Sequence, residues 1–562
     1  MPWKEKIQSL LINAGRSNLD KLLNIGTSEY LRTYDSDSNT DMSILIYSLI
    51  DIYGAKIIEQ RDVRFNILET LEKNQLERLA AELGVSTNNV SPKEIADKIS
   101  RIPWSWGALK IKRFCMFLDI ESIIEDYNES IGISTDLFVP ENSEGQKTGN
   151  RFYELHTFQA EVRDQILNRF INNNEQKLLL QLPTGGGKTR TAVHSIIKYL
   201  IDIDKVDKNI LWLSYSPLLL DQSLSSFLEI WPVLGVGRIS IRKIYGDQPD
   251  IIDESKPAIY FASVQSIRNK LNDKALKALR ANLSIIVFDE AHQIVAKNAR
   301  GVINELLYGN HHLKLLGLTA TPGRDYFNPI ENEQFRDYFA NIVKIKIPPV
   351  HSAFGNLDDI STDDRTAIAY LQELGVLSKL EHRLLDYGQN IQGQCNASFE
   401  RDCYSKETLK KLAADPERNN LIIGNITDLI SDKKKVLVFA CSVEHAETLA
   451  MILKVNGVKS GLILGNNKDT RDKLIESFRY NNDLNVLINY EVLTAGFDAP
   501  ELDAVIIARP TSSLVTYSQM LGRAMRGPLN GGNASNLVVN VSDPLFGEEN
   551  EAYKKFEIYW RE

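Results

Sequence analysis

At 562 residues the chain is too long for one hydrophobic core and is sized for about three or four domains. Hydrophobic residues at 43% and charged residues at 25% are ordinary for a globular chain, which excludes disorder and a fibrous repeat. A formal charge of -9 excludes an overall positive coat, so any grip on phosphates has to come from local patches inside a groove.

The first residues, MPWKEKIQSLLINAGRSNLDKLL, lack the basic-then-apolar order of a signal peptide, and no apolar run has the length of a membrane span. A cytoplasmic protein with no membrane partner is expected. Residues 1–145 carry helical patterning, as in IQSLLINAG and ILIYSLIDIYGAKIIEQ, and form an expected helical accessory domain. Within it, residues 71–102 predict a helix, a stop at Gly84, an extended loop, and a second helix opened by Ser91 and Pro92. The unit resembles SAP-type modules, which implies DNA contacts through Lys93, Lys98 and Arg101; packing or docking of a partner protein is the alternative. Trp104 and Trp106 read as core or interface residues rather than base-stacking platforms. Cys115, Cys395, Cys403 and Cys441 have no C-x-x-C or Cys/His ligand spacing and read as free thiols. The histidines form no metal set.

A polar loop from Pro140 to Arg151 marks a boundary, and the texture then changes. Short apolar runs (LLLQL, ILWLSY, AIYFAS, LSIIVFDE, KLLGLTA) alternate with helical segments, which predicts a parallel sheet covered on both faces over residues 150–343. Residues 344–419 are less regular and read as connector and accessory elements. The rhythm resumes over residues 420–562 with KVLVFAC, VKSGLIL, LNVLINYEV, AVIIAR and NLVVNVSD, a second parallel sheet.

After the strand ending at Leu182 stands Pro183-Thr184-Gly185-Gly186-Gly187-Lys188-Thr189, opening a helix. Glycines let backbone N–H groups approach phosphates, and a helix N-terminus adds positive potential. Lys188 is placed to neutralise the β and γ phosphates of ATP and Thr189 to offer its hydroxyl to Mg²⁺. The pattern departs from the strict form at Leu182, where glycine is usual. A second apolar strand ends in Asp289-Glu290-Ala291-His292. Adjacent carboxylates at the C-terminal end of a parallel strand stand where such sheets bind ligands, with Asp289 for Mg²⁺ and Glu290 to orient and deprotonate the attacking water.

The strings LPTGGGKT, DEAH, LTATP and QMLGRAMR, in this order and spacing over about residues 150–545, resemble superfamily 2 helicases and translocases. The resemblance implies two RecA-like domains in tandem behind the helical domain. It implies that Gln159 reads adenine, that His292, Thr319 and Thr321 couple hydrolysis to domain movement, and that Gly496 and Asp498 sense nucleotide and strand. It assigns Gln519, Arg523 and Arg526 to the final motif, with Arg526 first choice for an arginine finger reaching across the cleft. Ser216, Pro217, Ser263, Ser442 and Thr494 fall in the register of strand-contacting segments, which grip phosphate and sugar without reading sequence.

LTATPGR, ADPERNNLI, GFDAP and the QMLGRAMRGP region are similar to restriction-enzyme motor subunits and repair or transcription translocases. That similarity implies an ATP- and Mg²⁺-dependent motor on double-stranded DNA, acting in defence or DNA repair, with a nuclease or other effector as a partner bound through the N-terminal domain. Two other readings stay open: an RNA helicase, and an ATP-switched nucleic-acid sensor or scaffold. Pro249-Asp250 with Glu254-Ser255-Lys256 has nuclease-like residues, but the halves are too close together, and an acidic loop is expected there.

Overall fold

The computed structural model describes residues 3–14, 22–23, 42–87, 90–102, 109–120, 122–123, 155–203, 208–235, 239–246, 258–270, 274–321, 329–339, 341–347, 366–386, 399–400, 403–464, 468–480, 484–490, 502–511 and 513–542, with Thr27, Tyr30, Leu31, Thr33 and Phe556. Thr494, Gly496, Asp498, Trp104, Trp106, Cys395, the loop from Pro140 to Arg151 and the acidic loop at 249–256 lie outside these residues. No helix among the described residues is long and apolar enough to cross a membrane.

The N-terminal region is helical: α1 (Trp3–Ala14), α2 (Met42–Tyr53), α3 (Arg61–Glu69), α4 (Lys73–Leu83), α5 (Pro92–Ser100) and α6 (Leu109–Phe117). The SAP-like unit has the expected stops and starts. Gly84 closes α4 at φ 74, a left-handed turn that glycine adopts without a Cβ penalty, and Ser91 opens α5 with a reciprocal capping box to Glu94. Its basic side chains have local partners: Lys93 lies 3.6 Å from Glu69, Arg101 2.9 Å from Asp97, and Lys98 donates to the Ser86 carbonyl.

The first α/β domain, lobe 1, runs α7 (Thr157–Ile171), β1 (Lys177–Gln181), α8 (Lys188–Asp202), β2 (Asn209–Ser214), α9 (Pro217–Leu234), β3 (Ser240–Ile244), β4 (Ala258–Ser263), α10 (Val264–Lys270), α11 (Lys274–Asn282), β5 (Leu283–Phe288), α12 (Lys297–Leu307), β6 (Lys314–Thr319), α13 (Pro329–Phe339) and β7 (Ile342–Val343). The strands order β3-β4-β2-β5-β6-β1-β7, all parallel. Every residue of β2, β5 and β6 is buried, as expected of largely apolar strands in a doubly covered sheet.

The following segment holds α14 (Ala367–Glu373), β8 (Lys379–Asp386), the two-stranded antiparallel pair β9 (Phe399–Glu400) and β10 (Cys403–Tyr404), α15 (Lys406–Ala414) and α16 (Pro416–Ser431). Lobe 2 continues with β11 (Val436–Phe439), α17 (Val443–Val455), β12 (Ser460–Ile463), α18 (Lys468–Tyr480), β13 (Val486–Asn489), β14 (Ala504–Ile507), α19 (Leu514–Leu521) and β15 (Ser535–Ser542). Its parallel order is β12-β13-β11-β14-β15-β8. The expected connector over 344–419 is therefore corrected: β8 is an edge strand of the second sheet, and α16 packs on β11 and α17. Its sequence hid this because Lys379, His382 and Arg383 lie on an exposed edge, so β8 has no apolar run.

The helical region is built onto lobe 2. Leu45, Ile46, Leu49 and Ile50 of α2 share one buried apolar cluster with Ile422 and Ile426 of α16, Leu449 and Leu453 of α17, and Val438 of β11. Each such side chain contributes about 1.5–3 kcal/mol on burial. Polar ties cross the same seam: the Tyr30 hydroxyl donates to Asn420, and the Tyr53 hydroxyl is pushed up by burial and by Glu447. The expected class, two parallel-sheet α/β domains in tandem behind a helical region, is the one observed.

Candidate active site

The phosphate-loop residues follow β1 directly. Gly185 and Gly187 adopt φ 85 and 80, left-handed conformations open to glycine, and Gly187 caps the N-terminus of α8. The amide of Gly186 donates to the Pro183 carbonyl, closing a tight turn, and Lys188 and Thr189 begin α8. Leu182 stands where glycine was expected; its side chain is fully buried and its N–H donates to the Thr319 carbonyl at 3.2 Å. The position is thus occupied by a core residue tying the loop to β6.

Gln159 is buried against the loop. Its Nε2 donates to the Gly186 carbonyl at 3.0 Å, and its Oε1 accepts from the His156 amide. A carboxamide has two N–H donors and two acceptor sites, so these two bonds use one of each.

At the end of β5 the amide of Asp289 donates to the Leu213 carbonyl, and Asp289 Oδ1 accepts from the Glu290 amide at 2.9 Å. Glu290 itself is held at φ 52, ψ 53, a left-handed conformation for a non-glycine residue. Such conformations cost on the order of 1–3 kcal/mol and persist where the surroundings over-determine them. His292 Nδ1 stands 3.2 Å from Glu290 Oε2 without the alignment of a hydrogen bond, and Glu290 Oε2 has no donor aligned to it among the described residues. Thr319 and Thr321 are buried and bonded to each other, Thr319 Oγ1 donating to the Thr321 carbonyl and accepting from its amide.

The electrostatics join these pieces. Burial pushes the Asp289 carboxyl up to about 7, with Glu290 adding to the rise and Lys188 opposing it. Burial acts on Glu290 in the same sense, but His292, Lys188 and a hydrogen bond from Gln519 outweigh it and hold this carboxyl well below the usual range. The Lys188 ammonium is pushed down by burial, with Glu290 and Asp289 opposing and Arg523 reinforcing the shift. Two residues of lobe 2, Gln519 and Arg523, therefore act on the lobe 1 acids and lysine. Arg526 belongs to the same segment and is clamped through its backbone: it bridges Leu377, and its carbonyl accepts from Ser378 Oγ.

The serines expected to touch a strand are helix caps at strand ends. Ser216 Oγ accepts from Leu219 N ahead of Pro217, Ser263 Oγ from Ser266 N, and Ser442 Oγ from His445 N. Residues of the lobe seam escaped the sequence reading. His156 Nε2 lies 3.3 Å from Asn530 Oδ1, and the bare α-carbon of Gly185 faces Leu377 and Met525. No local pattern marks such contacts, because both partners acquire them only when two remote segments meet.

Among the described residues no cluster of three or more His, Cys, Asp or Glu could hold a metal by protein ligands alone. What is present fits a magnesium nucleotide instead: left-handed glycines at a helix N-terminus, a half-buried lysine, two buried acids, and an acceptor oxygen on Glu290 with no aligned donor.

Comparison with known proteins agrees. Residues 152–324 match the family profile described as type III restriction enzyme, res subunit, and residues 419–528 match the helicase conserved C-terminal domain. Over 382 residues the chain is 26% identical to a Saccharomyces cerevisiae protein carrying the name ATP-dependent helicase IRC3, covering 66% of this chain and 49% of that one. Over 489 residues it is 24% identical to a Methanocaldococcus jannaschii protein carrying the name ATP-dependent RNA helicase MJ1505, covering 72% and 60%. Over 411 residues it is 26% identical to the type I restriction enzyme EcoKI endonuclease subunit of Escherichia coli, covering 67% and 33%. The chain thus spans less than two thirds of the length of each of these relatives.

Proposed function

We propose that this chain, a member of the ATP-dependent helicases of superfamily 2 and by family a nucleic-acid-dependent ATPase, is a motor on double-stranded DNA that turns ATP hydrolysis into closure and reopening of its two lobes. The observation that carries the reading is the seam across the cleft: Thr184 and Gly185 of the loop lie against Gly522, Leu377 and Met525, and beside it Gln519 and Arg523 of lobe 2 act on Glu290 and Lys188 of lobe 1. The phosphate loop holds the triphosphate through its amides and through Lys188, and the free donor and acceptor of Gln159 read the adenine edge. Thr189 and Asp289 would hold Mg²⁺, which supplies charge neutralisation on the transferring phosphoryl group. Glu290, held ionised by its neighbours, orients the attacking water and takes its proton.

Gln519 fixes the Glu290 carboxylate from the opposite lobe. Because the charge of Arg523 reaches Lys188, the finger role that resemblance gives first to Arg526 is proposed here for Arg523, with Arg526 as its companion. His292, Thr319 and Thr321 link the acids and the loop to the end of β6. Such a constellation is complete only when the lobes close, so hydrolysis and separation become a stroke if each lobe grips the strand at a different point. Ser216, Pro217, Ser263 and Ser442 at strand ends, with Thr494, Gly496 and Asp498, are the proposed grip.

DNA is favoured by the match to a restriction-enzyme profile and by the EcoKI relative. RNA is the second reading, favoured by the relative that carries an RNA helicase name. A partner such as a nuclease is proposed for the helical region, whose α4–α5 unit has its basic residues engaged locally. The test is ATP turnover with duplex DNA, single-stranded DNA and RNA, together with displacement of a triplex-forming strand. Stimulation by duplex DNA with displacement is the expected result. Stimulation by RNA alone would move the substrate, and nucleotide binding without displacement would leave a switch rather than a motor.

A further inference from the structure

Gly522 ends α19 at φ -57, ψ -18, a right-handed conformation open to every residue. Its backbone gives no reason for glycine, and at a helix end alanine would be the more stable choice. The reason lies in the other lobe. A Cβ at 522 would overlap Cγ2 of Thr184 and stand 2.5 Å from its Cβ, whereas within its own helix the nearest atom is the Ser518 carbonyl oxygen at 3.2 Å. Thr184 is the second residue of the phosphate loop, between Pro183 and the left-handed Gly185. The contact belongs to a longer seam: Gly185 lies against Leu377 and Met525, and His156 meets Asn530. Gly522 also stands midway between Gln519 and Met525 and directly before Arg523, the residue whose charge reaches Lys188.

We propose that Thr184 is a positioning residue: its methyl group seats on the bare backbone of Gly522, and this seat sets how far lobe 2 advances, hence whether Gln519 and Arg523 arrive at the phosphate site. The seat lies on the phosphate loop itself, so a loop displaced from its nucleotide-holding shape blocks the advance, and closure becomes a readout of loop geometry. The inference rests on the reading that the lobes close over a triphosphate.

The experiment is a filled-and-vacated pair. Gly522→Ala fills the seat and should lower kcat by about 100-fold, the scale set by misplacing reacting groups by about 1 Å. ATP binding to lobe 1 and the melting temperature of the nucleotide-free protein should be unchanged or higher. Thr184→Gly vacates the seat. In that background the Gly522→Ala step should lower kcat by less than about tenfold, because contacting residues do not act additively. A second measurement avoids turnover altogether: disulfide trapping of His156→Cys with Asn530→Cys should slow when Gly522→Ala is added and recover with Thr184→Gly. Normal turnover in Gly522→Ala, an equal loss in both backgrounds, a lowered melting temperature, or trapping indifferent to position 522 would each overturn the proposal. A wild-type chain that no polynucleotide stimulates would defeat the motor reading instead, while the trapping experiment would still report on the seam.

Discussion

Replacing Asp289 with asparagine in metal-free protein measures what it costs to keep two carboxylates side by side inside the fold. The Asp289 carboxyl is raised from 3.8 to about 7, by burial first and by Glu290 second. Below about pH 4 the folded and unfolded chains both hold this proton and the site costs nothing. As pH rises, the unfolded chain ionises first while the folded chain resists, so stability is lost progressively up to about pH 7 and stays lost above it. At 1.36 kcal/mol per pH unit the rise, which already includes the opposing attraction to Lys188, corresponds to at most about 4 kcal/mol, and local relaxation brings the expected figure to about 2–4 kcal/mol. Asparagine never ionises. In EDTA at about pH 8.5, Asp289→Asn should therefore melt about 5–10 °C above wild type by calorimetry, a scale set by 2–4 °C per kcal/mol for a domain of this size. At about pH 5 the gap should shrink to less than half, and adding Mg²⁺ with nucleotide should raise the melting temperature of wild type only. A gap that ignores pH, or a variant less stable than wild type at the higher pH, would refute the argument.

Glu290→Gln should retain ATP and nucleic-acid binding while turnover falls by about 10²–10⁴, measured as steady-state phosphate release. Arg523→Ala should lower kcat by about 10³ with nucleotide affinity nearly intact, and by more than Arg526→Ala; the reverse order would return the finger to Arg526. Leu49→Ala, at the buried seam between α2 and lobe 2, should destabilise by about 2–5 kcal/mol and make the helical region the first site of limited proteolysis, with phosphate-loop binding of ATP retained.

Strong local constraints were legible. The runs that became β2, β5 and β6 are buried on both faces, so their central residues are apolar, with polar residues such as Asn209, Ser214, Lys314 and Thr319 confined to the ends, and a run of that kind announces itself. The phosphate loop was legible because the left-handed turns at 185 and 187 strongly favour glycine. β8 was not, because an edge strand exposed on both faces, with Leu385 alone buried, can carry Lys379, Glu381, His382 and Arg383 at no cost. Leu182 misled in a smaller way: the loop tolerates it because the side chain enters the core and its amide is taken up by Thr319.

The contacts between units were the least legible, and they carry the most consequence. Gly522 looks like one more small residue in QMLGRAMR until Thr184 is seen against it. The apolar faces of α1 and α2 predict only that something covers them; the structure shows α1 packed on α2 and α3, and α2 on α17, in one cluster that also takes in α16 and the face of the second sheet. That choice constrains the mechanics. Burial in one close-packed cluster ties the helical region to lobe 2, because sliding these side chains past one another would open voids. If the lobes close over nucleotide as proposed, α4 and α5 are expected to travel with Gln519 and Arg523, and a distance measured between the helical region and the phosphate loop with and without nucleotide checks this.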